Sequence, residues 1–199
     1  MTIFVISSRL IQAWARGYKP INTKHLLVLL VSFCLTAIAD EHLYQTVGGY
    51  GCSACHGKYA NGAGNVGGNI RGASLQQLNQ ALENEPTMQL LARALNAQQR
   101  VSLSDYLQAL KEMTLIEWNV AEGAKPSQVH LLPNTSHQLV IKNDTFSELL
   151  LDVSLLGEPQ ALKIAPLDTQ AVSFVTPKQA VTLNALNNQL TLTNKEQEN

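Results

Sequence analysis

Three cysteines in 199 residues leave little thiol chemistry to choose from. One of them, Cys34, ends an apolar run near the N-terminus, so a processed chain would keep only Cys52 and Cys55. Two thiols exclude the second Cys pair that a structural zinc site usually takes. Charged residues are also sparse, at 15%, against 45% hydrophobic, a balance that excludes a disordered chain. A long apolar run is missing as well. Leu26–Ile38 has 13 residues, whereas crossing a bilayer takes roughly 20. No internal repeat is present.

What the N-terminus does contain is an export signal. Lys24 and His25 precede the apolar run, and Ala37-Ile38-Ala39 follows it, directly ahead of Asp40-Glu41. A basic flank, a short apolar core and a small-x-small site are the order of a cleavable secretory signal. Residues 1–39 are therefore expected to be a leader cut after Ala39, with the mature chain periplasmic and without a transmembrane anchor. The stretch Met1–Thr23 is long for what lies upstream of such a core and is given no fold. Phe33 stands before Cys34 where a lipid-attachment signal would place a small residue, which argues against a lipoprotein. The leader holds Arg9, Arg16, Lys19 and Lys24 and no acid, which leaves 10 basic against 15 acidic residues beyond it, a net charge of −5. Nucleic-acid binders carry basic patches, so no nucleic-acid partner is expected.

Composition shifts near residues 114–128. Before the shift, apolar residues recur at helical spacing. Leu43, Tyr44 and Val47 give one face of a short helix, and Leu75, Leu78 and Leu82 another behind a Ser74…Gln77 capping box. Pro86 should end that second helix and place Met88 in a turn. Asn96, with Gln99 three residues on, caps a third helix striped by Leu103, Leu107 and Leu110. After the shift, short strands are predicted at 128–132, 137–142, 147–155, 160–165, 170–175, 179–186 and 189–193, with Asn187-Asn188 as a two-residue hairpin turn. The expected division is a helical domain at 40–113, a linker at 114–127, a β-sandwich at 128–194 and a polar tail at 195–199. The fold class expected is an all-α domain followed by a small all-β sandwich, immunoglobulin-like or cupredoxin-like. Lacking a Cys thiolate, the β part is expected to hold no blue copper.

Cys52-Ser53-Ala54-Cys55-His56 carries the chemistry. C-x-x-C-H is the attachment motif of c-type haem. Its two sulfurs bond the vinyl groups on one porphyrin edge, and the adjacent His56 offers an imidazole nitrogen to the iron. A thioredoxin-like pair would need a βαβ setting, and a disulfide across two residues would constrain little. The glycine-rich run Gly57–Gly72 that follows lets backbone approach a ligand closely. For the second axial position the candidates are Met88, Met113, His42, His130 and His137. Met88 is favoured by its place after Pro86, while Met113 reads as packing and the histidines as surface residues.

The run Leu43–Leu110 resembles a class I (monohaem) bacterial cytochrome c domain. The resemblance rests on Leu43-Tyr44, CSACHG at 52–57, Asn69-Ile70-Arg71-Gly72, Pro86-Thr87-Met88, Tyr106 and the closing Leu107-Gln108-Ala109-Leu110, and covers about 70 residues. It implies one covalent haem c on Cys52 and Cys55, with His56 and Met88 as axial ligands and Tyr44 and Tyr106 near a crossing of the first and last helices. In that family a Pro carbonyl accepts the proximal histidine's N–H; here Gly68 stands in that place. The implied function is a single-electron carrier between redox partner proteins and not an enzyme. The alternative is a haem enzyme or gas sensor with an open or labile sixth position.

Overall fold

Side-chain capping decides where the longer helices start. The computed structural model describes residues 40–64, 66–122, 125–158 and 160–195. The expected leader and residues 196–199 of the tail lie outside them. Residues 40–46 are helical (α1) and run into a 3-10 turn at Val47–Gly49. Four helices follow: α2 (Ser53–His56), α3 (Leu75–Asn84), α4 (Pro86–Ala92) and α5 (Ala97–Lys111). At α3 the Ser74 hydroxyl accepts from the Gln77 N–H, and the Gln77 side chain accepts from the Ser74 N–H at 2.9 Å. Asn96 and Gln99 exchange the same pair of bonds at α5, each at 2.9 Å. Each box satisfies two N–H groups that a helix start otherwise leaves orphaned. Pro86 opens α4, where its missing N–H costs nothing, so Met88 lies in the first turn of a helix and not in a turn between helices. Tyr44, Val47, Leu78, Leu82, Leu103, Leu107 and Leu110 form the buried centre of this section.

Eight strands complete the chain: β1 (Thr114–Val120), β2 (Ser127–Leu131), β3 (Ser136–Asn143), β4 (Leu149–Leu151), β5 (Leu162–Ile164), β6 (Thr169–Val175), β7 (Val181–Ala185) and β8 (Asn188–Asn194). They form three small sheets, ordered β1-β3-β6, β2-β8-β7 and β4-β5. β1 runs parallel to β3 and β2 parallel to β8; the remaining pairs are antiparallel. One apolar cluster, including Trp118, Leu139, Ile141, Leu151, Leu183 and Leu192, joins all three sheets. The β7–β8 turn falls one residue before the expected Asn187-Asn188. Leu186 enters it with φ +53°, while Asn188 pairs with Ala185 and donates from its side chain to the Ala121 carbonyl at 3.0 Å.

The expected fold class, an all-α domain followed by an all-β sandwich, is corrected by this architecture. Among the described residues the chain is mixed, with five helices and eight strands in three small sheets. From Asp40 onward it forms one compact unit. The physical reason lies in β1 and β3. β1 occupies much of the segment read as a linker, beginning three residues after α5 ends. Central β3 is covered on both faces: Leu139 and Ile141 enter the strand core, and Gln138 and Val140 are buried on the other side. That second side meets the glycine-rich loop of the helical section. Arg71 Nη1 donates to Gln138 Oε1 at 2.6 Å, Lys58 Nζ to the Thr169 carbonyl at 2.7 Å, and Asn61 Nδ2 to Glu117 Oε1 at 2.5 Å. Helices and strands are therefore layers around shared contacts.

Candidate functional site

A single helical turn gathers the motif. Cys52 caps α2, and its carbonyl accepts from the N–H groups of Cys55 at 3.2 Å and His56 at 3.0 Å. Residues three and four apart share a helix face, so Cys52, Cys55 and His56 converge. Gly57 ends the turn with φ +83°, and a Cβ there would lie 2.6 Å from Asn61 Oδ1, so only glycine fits without displacing the loop. α1 braces the turn from behind. The Tyr44 carbonyl accepts from the Cys52 N–H at 2.8 Å, and the Tyr44 hydroxyl donates to the Gly57 carbonyl at 2.8 Å. Tyr44 is fully buried, its ring centroid 5.5 Å from that of Tyr106 on α5. The two tyrosines thus lie where the first and last helices meet.

His56 is oriented by its own loop. Its Nδ1 lies 2.9 Å from the Gly68 carbonyl. A carbonyl can only accept, so Nδ1 carries the proton and the lone pair is left on Nε2, ready for a metal. Gly67 permits this approach, because a Cβ there would sit 2.5 Å from His56 Nδ1 and 2.7 Å from the Cys55 carbonyl.

Two cavities open around His56. One, of about 380 Å³, is lined by His56, Ile70, Arg71, Leu78, Met88 and Leu107 among others. The second, of about 260 Å³, is lined by Cys52, Cys55, His56, Val66, Met88 and Leu91 among others. His56, Glu85 and Met88 belong to both, so the cavities adjoin along these side chains. All four residues singled out in the sequence are brought together here, although they come from α2 and α4. Volumes of this order and the largely apolar walls suit a small-molecule or cofactor site.

The thiols are unpaired with one another: no disulfide joins Cys52 and Cys55. Burial pushes the Cys52 thiol up to about 11, with the nearby Cys55 adding to the shift. Among the described residues no group of three or more His, Cys, Asp or Glu could hold a free metal ion. A planar group anchored by two sulfurs and taking one imidazole and one thioether fits this donor set: two sulfurs on one helix face, one oriented imidazole, and Met88 on the wall both cavities share.

The other axial candidates lie elsewhere. Neither cavity is lined by His42, His130, His137 or Met113. His42 is exposed on α1. His130, on β2, has its Nδ1 3.0 Å from the Thr193 hydroxyl. His137, on β3, is 2% exposed, with its Nε2 2.9 Å from the Thr176 hydroxyl and its ring 5.2 Å from Phe174. Burial pulls its pKa below the ordinary histidine value. Met113 packs on the helical core and accepts from Arg71 Nη2 through its carbonyl at 3.0 Å.

Sequence reasoning missed the part played by Arg71, which lines the larger cavity and ties the loop to α5 and β3. Its one local sign was a cation near the end of a glycine-rich run that also holds Lys58. No family model matches the chain, and no curated protein sequence matches it either.

Proposed function

We propose that the chain is an exported c-type cytochrome, carrying single electrons on one covalent haem. The observation that carries this reading is the convergence of Cys52, Cys55, His56 and Met88 on adjoining cavities, with the His56 tautomer fixed by the Gly68 carbonyl. Cys52 and Cys55 would hold the macrocycle edge as thioethers, and His56 Nε2 and the Met88 sulfur would fill the two axial positions. Bound haem supplies a one-electron iron couple, and a Met/His ligand pair raises its potential. This chain's own residues do the rest. The hydrogen bond to Gly68 keeps His56 aimed and adds to its donor strength. Ile70, Leu78, Leu91 and Leu107 exclude water, which keeps charge interactions with the iron strong. With both axial positions taken from the protein, no substrate needs to reach the metal, which favours a carrier over a haem enzyme.

The deciding experiment is production in a host that exports and matures c-type haem, followed by a denaturing gel stained for haem peroxidase activity. The full-length product should stain after boiling, and Cys52→Ser/Cys55→Ser should not. Equal staining of that double variant, or an unstained wild-type protein, would overturn the reading.

A further inference from the structure

The guanidinium of Arg71 makes four hydrogen bonds, all to neutral acceptors. Nη1 donates to the Tyr59 carbonyl at 3.5 Å and to Gln138 Oε1 at 2.6 Å; Nη2 donates to the carbonyls of Leu110 and, at 3.0 Å, Met113. Among the described residues no carboxylate forms an ion pair with it. Arg71 is half-buried and shares the wall of the larger cavity with His56 and Met88. An arginine stays charged under any ordinary condition, so it brings a positive charge to the site, with Glu117 acting on it across space and Glu85 lining the same cavity. Of the four acceptors, three are backbone carbonyls of the helical section or its junction with β1. The fourth is the side chain of Gln138, 6% exposed on the outer face of β3, which among the described residues makes no other side-chain hydrogen bond.

We propose that Gln138 is a positioning residue for the site: from β3 it fixes the Arg71 guanidinium in the cavity wall shared with His56, so that the strand section helps set the reduction potential of the haem. This rests on the haem reading above. The sign follows from charge. Ferrous haem carries one positive charge fewer than ferric, so a fixed cation nearby favours the reduced form. Arg71 is partly buried, so its charge is screened less than one at the surface. Without Gln138 the fork loses its tie to β3. The guanidinium then keeps only its three backbone acceptors and can shift away from the cavity wall, so its effect on the iron falls.

The test is spectroelectrochemical titration of the haem-loaded protein, wild type against Arg71→Gln, Gln138→Leu and the double variant. Arg71→Gln should lower the ferrous-to-ferric ratio at fixed poise by about tenfold, equivalent to about 59 mV for a one-electron couple. Gln138→Leu should shift it severalfold in the same direction, and the double variant no further than Arg71→Gln alone, because both act through one group. Should Gln138→Leu fail to fold, Gln138→Asn keeps the amide but falls one methylene short, and should give the same shift. A haem-loaded Gln138 variant with the wild-type potential, or shifts that add in the double variant, would overturn the inference and leave the haem reading standing. A wild-type protein without covalent haem would instead overturn the reading beneath it.

Discussion

Removing one oxygen atom from Tyr44 tests whether the motif turn is braced as described. In Tyr44→Phe the ring keeps its buried seat and its contact with Tyr106 at 5.5 Å, so no methylene-sized cavity opens. What disappears is the donor to the Gly57 carbonyl, now 2.8 Å away in a buried position 13 residues along the chain. Leaving a buried carbonyl unpaired costs about 1–3 kcal/mol. The Ala60 N–H also bonds that carbonyl, at 3.1 Å, so it keeps one partner and the lower half of the range applies. A loss of about 1.5 kcal/mol lowers the melting temperature of a domain this size by roughly 3–6 °C. The assay is thermal unfolding followed by far-ultraviolet circular dichroism, with urea titration as a check that the slope m is unchanged. Haem uptake should fall as well, since the same bond holds the end of the turn that presents His56. A variant as stable as wild type would refute the brace and with it the account of why α1 and α2 sit together.

Three further outcomes are expected. Burial holds the hydroxyls of Tyr44, Tyr59 and Tyr106 neutral well above the usual tyrosine range. Their folded-state pKa values are raised, so the stability they contribute is complete below about pH 10, where unfolded tyrosine ionises, and is lost as pH rises beyond it. Unfolding at pH 11 should therefore release phenolic protons, seen as a tyrosinate absorbance step that coincides with loss of structure; a step that precedes unfolding would contradict this. Asn143→Asp should destabilise by about 3 kcal/mol, because the amide now donates to the carbonyls of Ser147 (2.8 Å) and Ala165 (2.9 Å), and a buried carboxylate would set one oxygen against those acceptors while only its other oxygen kept the two Thr145 donors. A loss of under about 0.5 kcal/mol in the unfolding free energy from urea titration would count against it. Met88→Ala should turn the haem-loaded protein partly high-spin, lower its potential and admit carbon monoxide; an unchanged spectrum would place the sixth ligand elsewhere.

Much of the helical section was legible because its signals are local. Ser74…Gln77 and Asn96…Gln99 each specify a helix start within four residues, and both boxes form. The seven expected strands fall on β2 to β8, but at β4 and β5 the expected bounds were too long, for a physical reason. β4 and β5 are three residues each, too short for a period of two to register. β1 was missed although Ile116-Glu117-Trp118-Asn119-Val120 alternates cleanly, because the composition shift around it suggested a linker. β3 held a clearer sign of the mixed fold. Leu139-Val140-Ile141 is a continuous apolar run, and a strand buried on both faces reads that way, whereas a two-layer sandwich strand alternates. That run implied a third layer, and the helical section supplies it.

The site divides along the same line. Cys52, Cys55 and His56 were legible because one helical turn fixes their convergence, whatever surrounds them. Met88 was named from its place after Pro86, although α4 that carries it was not foreseen. Gly68 and Arg71 sit in a run whose glycines announce close backbone approach without saying to what, and the partner of Arg71 on β3 is 67 residues away. No local pattern encodes such a pair. It exists because β3 offers a buried polar side chain, 6% exposed, beside buried Val140, and a buried amide must find a partner. Gln138 between His137 and Leu139 was therefore a readable anomaly. A polar residue inside a strand buried on both faces asks what lies opposite, and in this chain the answer is the loop that orients His56.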